Sequence, residues 1–235
     1  MTASSDDHAR PRIQRPEVIV FDVNETLSDM TPMGQRFDDV GAPAHLATTW
    51  FAGLLRDGFA LTAAGSSARM ADIGSGLLRT LLPLPALNRD LDEAIDHIMG
   101  GFADLGLHPD VADGVRALSE AGIRLVTLTN GSTDLARGLF ERAGVISHFE
   151  RLLSVETVSG WKPVPAAYRY ALAQCQVQAS DAMLVAVHPW DIDGARRAGL
   201  ATAWLNRSSQ TYPKYFQTAD VEADTLTALA RRLTT

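Results

Sequence analysis

The sequence predicts an α/β fold in which a doubly wound parallel sheet is interrupted by a helical insertion, and three observations predict it. Short apolar runs, rich in β-branched residues and lacking polar alternation, recur along the chain, as expected of strands buried on both faces. Segments of helical period, two of them closed by glycine, separate these runs. Between the first run and the second lies a long stretch with helical patterning and no convincing strand.

Glu17–Phe21 is the first strand-like run, and Ile123–Thr129, Met183–Val187 and Ala201–Leu205 repeat its character. Helical patterns fall at Val111–Ala121 before Gly122, at Thr133–Ala143 before Gly144, and at Ala166–Cys175. Strands alternating with helices imply a doubly wound sheet. Residues 30–105 read as a helical cap, with helices around Ala44–Arg56, Ser67–Leu82 and Leu91–Leu105. The core is then expected in two pieces, 16–29 and 106–235, with residues 1–15 a flexible leader. An insertion directly after the first strand would sit over the carboxyl ends of the strands, where open α/β sheets bind ligands.

With 235 residues, 46% of them hydrophobic, the chain is long enough for one substantial core. Its 21 basic and 28 acidic residues give a net charge of −7, and no basic run is present to neutralise successive phosphates, so nucleic acid is not an expected partner. Cys175 is the single cysteine, which excludes a disulfide framework and suits a reducing cytoplasm. No apolar stretch approaches the roughly 20 residues that span a bilayer, and the polar start reads as no secretory signal. A cytoplasmic protein without membrane partners is expected.

Four polar clusters follow strand ends: Asp22 to Thr26, Thr129 to Ser132, Lys162, and His188 to Asp191. Each alone is weak, since an Asp after a strand often only forms a turn and most lysines lie at the surface. Parallel topology, however, brings strand-end residues together. Asp22 leaves a buried strand as the chain turns. Thr129 and Asn130 supply a hydroxyl and an amide, with Ser132 or Thr133 placed to cap a helix. Lys162 is stiffened by Pro163 and Pro165, and His188-Pro-Trp-Asp191 crowds an imidazole, an indole and a carboxylate at one strand end.

Taken together, Phe21-Asp-Val-Asn-Glu-Thr-Leu27, Leu128-Thr-Asn-Gly-Ser132, Trp161-Lys-Pro163 and Trp190-Asp-Ile-Asp-Gly-Ala195 resemble, in order, the four motifs of the haloacid dehalogenase superfamily. The match runs from about residue 17 to about 207 and is most similar to the L-2-haloacid dehalogenases, on Lys162-Pro-Val-Pro165 with Tyr168 and on Trp190-Asp191. The resemblance implies a HAD-like, Rossmann-like core with a helical cap. It also implies an Asp22 nucleophile that attacks C2 of a short 2-haloacid with inversion, and an aspartyl ester hydrolysed by water with help from Asp191. Lys162 would balance the charge of the two carboxylates, while Thr26, Thr129 and Asn130 position them. Val23, Asn24, Trp50, Phe51, Tyr168, His188 and Trp190 are the expected substrate and halide contacts. No cofactor and no metal are implied; the partners are a small carboxylic acid and water, with a homodimer admitted.

Departures from the pattern keep other readings open. Where the dehalogenases carry a halide-receiving arginine, this chain has Trp50-Phe51, and where they carry a serine and an asparagine it has Ala186 and His188. Another metal-free displacement, such as opening of a strained ring acid, tolerates that loss, as does a catalytically silent binding relative. A magnesium-dependent phosphatase fits less well. Asn24 stands where that class has its acid, and Val187 where it has a further carboxylate, and magnesium prefers a full set of oxygen ligands.

Overall fold

The structure is a computed structural model that describes residues 15–158 and 160–235; the expected leader lies outside these apart from Arg15. The strands are β1 (Val18–Phe21), β2 (Arg124–Thr129), β3 (Arg151–Ser154), β4 (Ala182–Ala186), β5 (Ala201–Leu205) and β6 (Val221–Ala223). They form one sheet in the order β3-β2-β1-β4-β5-β6, and every pairing is parallel. The expected α/β class and doubly wound sheet are confirmed. All four expected strands are present within one residue of the anticipated ends. β3 and β6 were not legible because they are the edges: β3 has an exposed and a half-buried residue among its four, and β6 alternates buried and exposed over three.

The four strands other than these edges are the most buried. Val18, Val20, Val126, Leu128 and Leu184 face one side, and Ile19, Phe21, Leu125, Met183 and Val185 face the other. Burying each such side chain contributes about 1.5–3 kcal/mol, so continuous apolar runs, rather than alternating ones, are what a sheet covered on both sides requires. On the first face pack α7 (Pro165–Cys175) and α8 (Pro189–Arg197); on the second pack α5 (Val111–Glu120), α6 (Thr133–Arg142) and α9 (Leu226–Thr234). Gly122 and Gly144, just after α5 and α6, adopt positive φ (80° and 66°), as the glycine stops in the sequence predict.

Between β1 and α5 lie α1 (Met33–Asp38), α2 (Leu46–Ala63), α3 (Met70–Leu81) and α4 (Leu91–Ala103). α2 runs past the expected Arg56, and α1 was not anticipated from its short, mixed sequence. The chain leaves and re-enters the sheet region side by side: Ser28 bridges Leu107, and the Asp29 amide donates to Gly106 O at 2.9 Å. The apolar residues of these helices, including Trp50, Leu54 and Phe102, belong to the same cluster as the α7–α8 face of the sheet. Among the described residues no helix is long and apolar enough to cross a membrane.

Candidate active site

The winding reverses at β1, whose neighbours are β2 on one side and β4 on the other. That switch leaves a crevice at the carboxyl ends, and the four polar clusters of the sequence all emerge there. Asp22 follows β1, Thr129 ends β2, and His188 caps α8 just beyond β4. Lys162 arrives from the loop before α7, where its backbone amide donates to Asn130 Oδ1 at 2.9 Å.

Lys162 is the centre of the arrangement and has no solvent exposure. Its ammonium donates to Asp22 Oδ1 at 2.8 Å and to Asp191 Oδ2 at 2.6 Å. Asp191, also fully buried, takes a second hydrogen bond on Oδ1 from the Tyr168 hydroxyl at 2.6 Å. Asp22 is 4% exposed. Its Oδ2 accepts from Thr26 Oγ1 at 2.6 Å and lies 3.2 Å from His188 Nδ1. Thr26 Oγ1 is itself fixed by the Val187 amide at 3.1 Å. Every carboxylate oxygen of the pair therefore has a donor.

These contacts separate the two carboxylates electrostatically. Burial raises Asp22, but the Lys162 charge and the His188 hydrogen bond outweigh it and hold the group well below the usual carboxylate range. Asp191 is raised, because burial and the neighbouring Asp22 charge outweigh the Lys162 contact. Burial opposes the charge on Lys162, yet the two carboxylates keep it above its ordinary value. His188 is pushed up to about 9: burial opposes its charge, but hydrogen bonds to Asp22 and Glu25 favour it more strongly. Asp22 is thus held ionised, while Asp191 is the readier proton acceptor.

Several expected contacts are placed differently. Tyr168, expected to touch substrate, is fully buried and its hydroxyl is spent on Asp191. Asn130 accepts from the Lys162 backbone, and Thr129 Oγ1 accepts from the Gly131 amide at 3.0 Å, so both shape loops instead of holding a carboxylate. Trp50 and Phe51 pack with Phe102, and the Trp50 indole donates to Gly74 O at 2.9 Å. Helical packing claims both rings: Trp50 edges a cavity with Met70 and Ser132, while Phe51 lines none of the cavities named here.

Val23 and Asn24 line a cavity with Met70, Phe102, Gly131 and Leu135, and the Asn24 amide points at Met70 Sδ, 3.5 Å away. A separate, more polar cavity opens at Glu25, His188 and Arg207. Trp190 packs against α2 and the catalytic cluster: its ring is 5.0 Å from Phe59 of α2, 4.9 Å from His188 and 5.9 Å from the Lys162 ammonium. Gly194 makes the crowding possible, because a Cβ there would fall 2.5 Å from the Tyr168 hydroxyl and 2.6 Å from Pro163 Cβ.

Two further residues that the motif pattern does not single out brace the site. Glu25 Oε2 is 2.9 Å from His188 Nε2; only its place three residues after Asp22 hinted at this. Arg207 pairs with Asp110 at 2.7 Å and donates through Nη2 to Thr26 O at 2.9 Å, bracing the turn that carries Asp22. Nothing local to Arg207 signals its link to Thr26, which spans 181 residues.

A family model for haloacid dehalogenase-like hydrolases matches residues 16–199. The chain is 32% identical over 121 residues to haloacetate dehalogenase H-2 of Moraxella sp. (strain B), a stretch covering 52% of this chain and 54% of that protein. It is 31% identical over 144 residues to (S)-2-haloacid dehalogenase of Pseudomonas sp. (strain YL), covering 61% and 62% respectively. The alignments therefore span less than two thirds of both relatives. A crystal structure of a dehalogenase superimposes with a TM-score of 0.87 at 25% identity, covering 95% of this chain and 99% of the other. With the family model spanning most of the sequence and the sheet carrying its four motifs at one edge, this chain belongs to the haloacid dehalogenase-like hydrolases.

Proposed function

We propose that the protein is a hydrolytic dehalogenase of short-chain 2-haloacids. The observation that carries this reading is the buried Asp22, kept ionised and anchored to Asp191 through Lys162. A carboxylate stripped of water and held in one orientation is a nucleophile prepared for attack on carbon. Asp22 displaces halide from C2 with inversion and forms an ester; halide departs as an anion and needs no proton. Water then attacks the Asp22 carboxyl carbon while Asp191 accepts its proton. Tyr168 orients Asp191, Thr26 orients Asp22, and Asn130 fixes the Lys162 loop. The names of the similar proteins support this substrate class.

Residues 30–105 serve in this reading as a cap. Its support is the contact of Phe59 with Trp190, of Met70 with Asn24, and of the Trp161 indole with Ala68 O at 3.2 Å. Val23, Asn24 and Trp190 face the substrate, and the lone buried Cys175 fits a cytoplasmic location. The same reading has the protein act on a small acid and water without nucleic acid or membrane partners, as a monomer or homodimer.

A magnesium-dependent phosphatase is less well supported by the same geometry. The oxygens of Asp22 and Asp191 are taken by Lys162, Thr26, His188 and Tyr168, and position 24 presents an amide in place of a carboxyl acid. A panel of chloro-, bromo- and fluoro-substituted short acids with halide detection tests the substrate class. One turnover in heavy-oxygen water tests the ester: label is expected in Asp22, and label found only in product refutes covalent catalysis.

A further inference from the structure

His188 sits between two carboxylates, with Nδ1 3.2 Å from Asp22 Oδ2 and Nε2 2.9 Å from Glu25 Oε2. A neutral imidazole has one donor nitrogen and one acceptor, so one of these contacts would set lone pair against lone pair. Only the imidazolium satisfies both. The ring is 12% exposed and packs against Trp190, which fixes its plane. Glu25 is built to hold it: its backbone lies in the left-handed region (φ 61°), its carbonyl accepts from His108 Nε2 at 2.9 Å, and its amide donates to Ser28 Oγ at 3.3 Å. Side-chain-bearing residues rarely adopt that conformation unless their surroundings enforce it.

The two oxygens of Asp22 are served unequally. Among the described residues Oδ1 receives a bond only from Lys162, whereas Oδ2 faces both the Thr26 hydroxyl and His188. Paired donors on one carboxyl oxygen are what a developing oxyanion requires. We propose that His188, clamped by Glu25, forms with Thr26 the donor pair that stabilises the oxyanion on Asp22 during hydrolysis of its ester.

This inference rests on the ester reading above and assigns the alkyl group to Oδ1. Water adds to Cγ, passing one proton to Asp191, and the carbonyl electron pair moves onto Oδ2. Collapse restores the double bond to Oδ2 and breaks the Cγ–Oδ1 bond. The departing alkoxide takes a proton from Lys162, which recovers one from Asp191 across their 2.6 Å contact. The second water proton stays on Asp22 and is lost to solvent, which restores the carboxylate. His188 thus acts chiefly after halide has left.

The test uses 2-bromopropionate, rapid quenching and intact-protein mass, with bromide measured in parallel, on wild type, His188→Gln, His188→Asn and Glu25→Gln. In His188→Gln a bromide burst of one equivalent per site is expected at close to the wild-type rate. Turnover at least tenfold slower should follow, with the ester adduct accumulating. His188→Asn, which keeps a neutral donor toward Asp22, should fall between, and Glu25→Gln, whose side chain is 41% exposed, should show the same pattern more weakly with unchanged melting. A burst lost together with turnover, or variants identical to wild type in both phases, overturns the assignment. If bromide is released but no variant accumulates the adduct, the assignment to His188 is overturned; if bromide is released and one turnover in heavy-oxygen water leaves Asp22 unlabelled, the ester itself is refuted; if no bromide is released at all, the substrate class is.

Discussion

Replacing Lys162 by Met keeps an unbranched apolar stem and removes the ammonium that joins Asp22 to Asp191. The two contacts, at 2.8 and 2.6 Å, are charge-assisted hydrogen bonds in a fully buried place, each worth about 1.5–3 kcal/mol. Removing one partner of a buried ion pair costs about 3–5 kcal/mol, because the remaining charges stay desolvated and unpaired. For a chain of this size that corresponds to a melting point lower by about 6–20 °C. Asp191 would relieve the repulsion by taking a proton, and turnover should fall about 10²–10⁴-fold as the base is lost. Lys162→Arg keeps the charge but misplaces it and should lose less of both. The stability gap has a defined pH dependence. Asp22, lowered in the folded state, contributes stability above its ordinary value of 3.8 that is lost as pH falls, so the variant should approach wild type in acid. Thermal melts from pH 3 to 8, with halide release at pH 7, read all three effects. A melting point within 2 °C of wild type and turnover within threefold would show that Lys162 does not hold this pair.

Gly194→Ala places a methyl 2.5 Å from the Tyr168 hydroxyl; activity should fall at least tenfold by steady-state kinetics with the fold retained by circular dichroism, and a full-activity variant would refute the crowding. His188 titrates near 9 from an ordinary 6.5, so its charge, and the stability tied to it, is complete below about 6.5 and lost as pH rises through about 9. Its surroundings are Asp22 and Glu25 in contact, Lys162 across Asp22, and Asp29, His108 and Arg207 around the adjoining cavity. Lys162 and Tyr168 are both held above their ordinary values, so an alkaline limb near 9 that disappears in His188→Gln is the expected pH–rate profile. Halide release should survive exhaustive chelation and gain nothing from added magnesium; phosphate ester hydrolysis requiring magnesium would refute the metal-free reading. Asp22→Asn should abolish turnover and lower the melting point by less than Lys162→Met does, because Lys162 keeps Asp191 as its partner, and wild-type rates in it would remove the nucleophile.

The sequence by itself determined the fold class and the members of the central cluster. Buried parallel strands must be continuously apolar, and a residue that ends such a strand lies at the carboxyl edge of the sheet wherever the chain goes next. That is why Asp22, Thr129 and His188 could be named as neighbours from separate stretches, with Lys162 and Asp191 added by the motifs that carry them. The edge strands β3 and β6 escaped because one solvent-facing side dilutes the apolar run to a few residues. What only the tertiary structure decided was which group each polar atom serves. Tyr168 turns to Asp191, Trp50 and Phe51 turn into the helical packing, and Glu25 reaches His188 from a turn across 163 residues. Hydrogen bonds are directional and short-ranged, so their partners depend on strand order, helix packing and the close approach at Gly194, none of which a linear pattern of residue types contains.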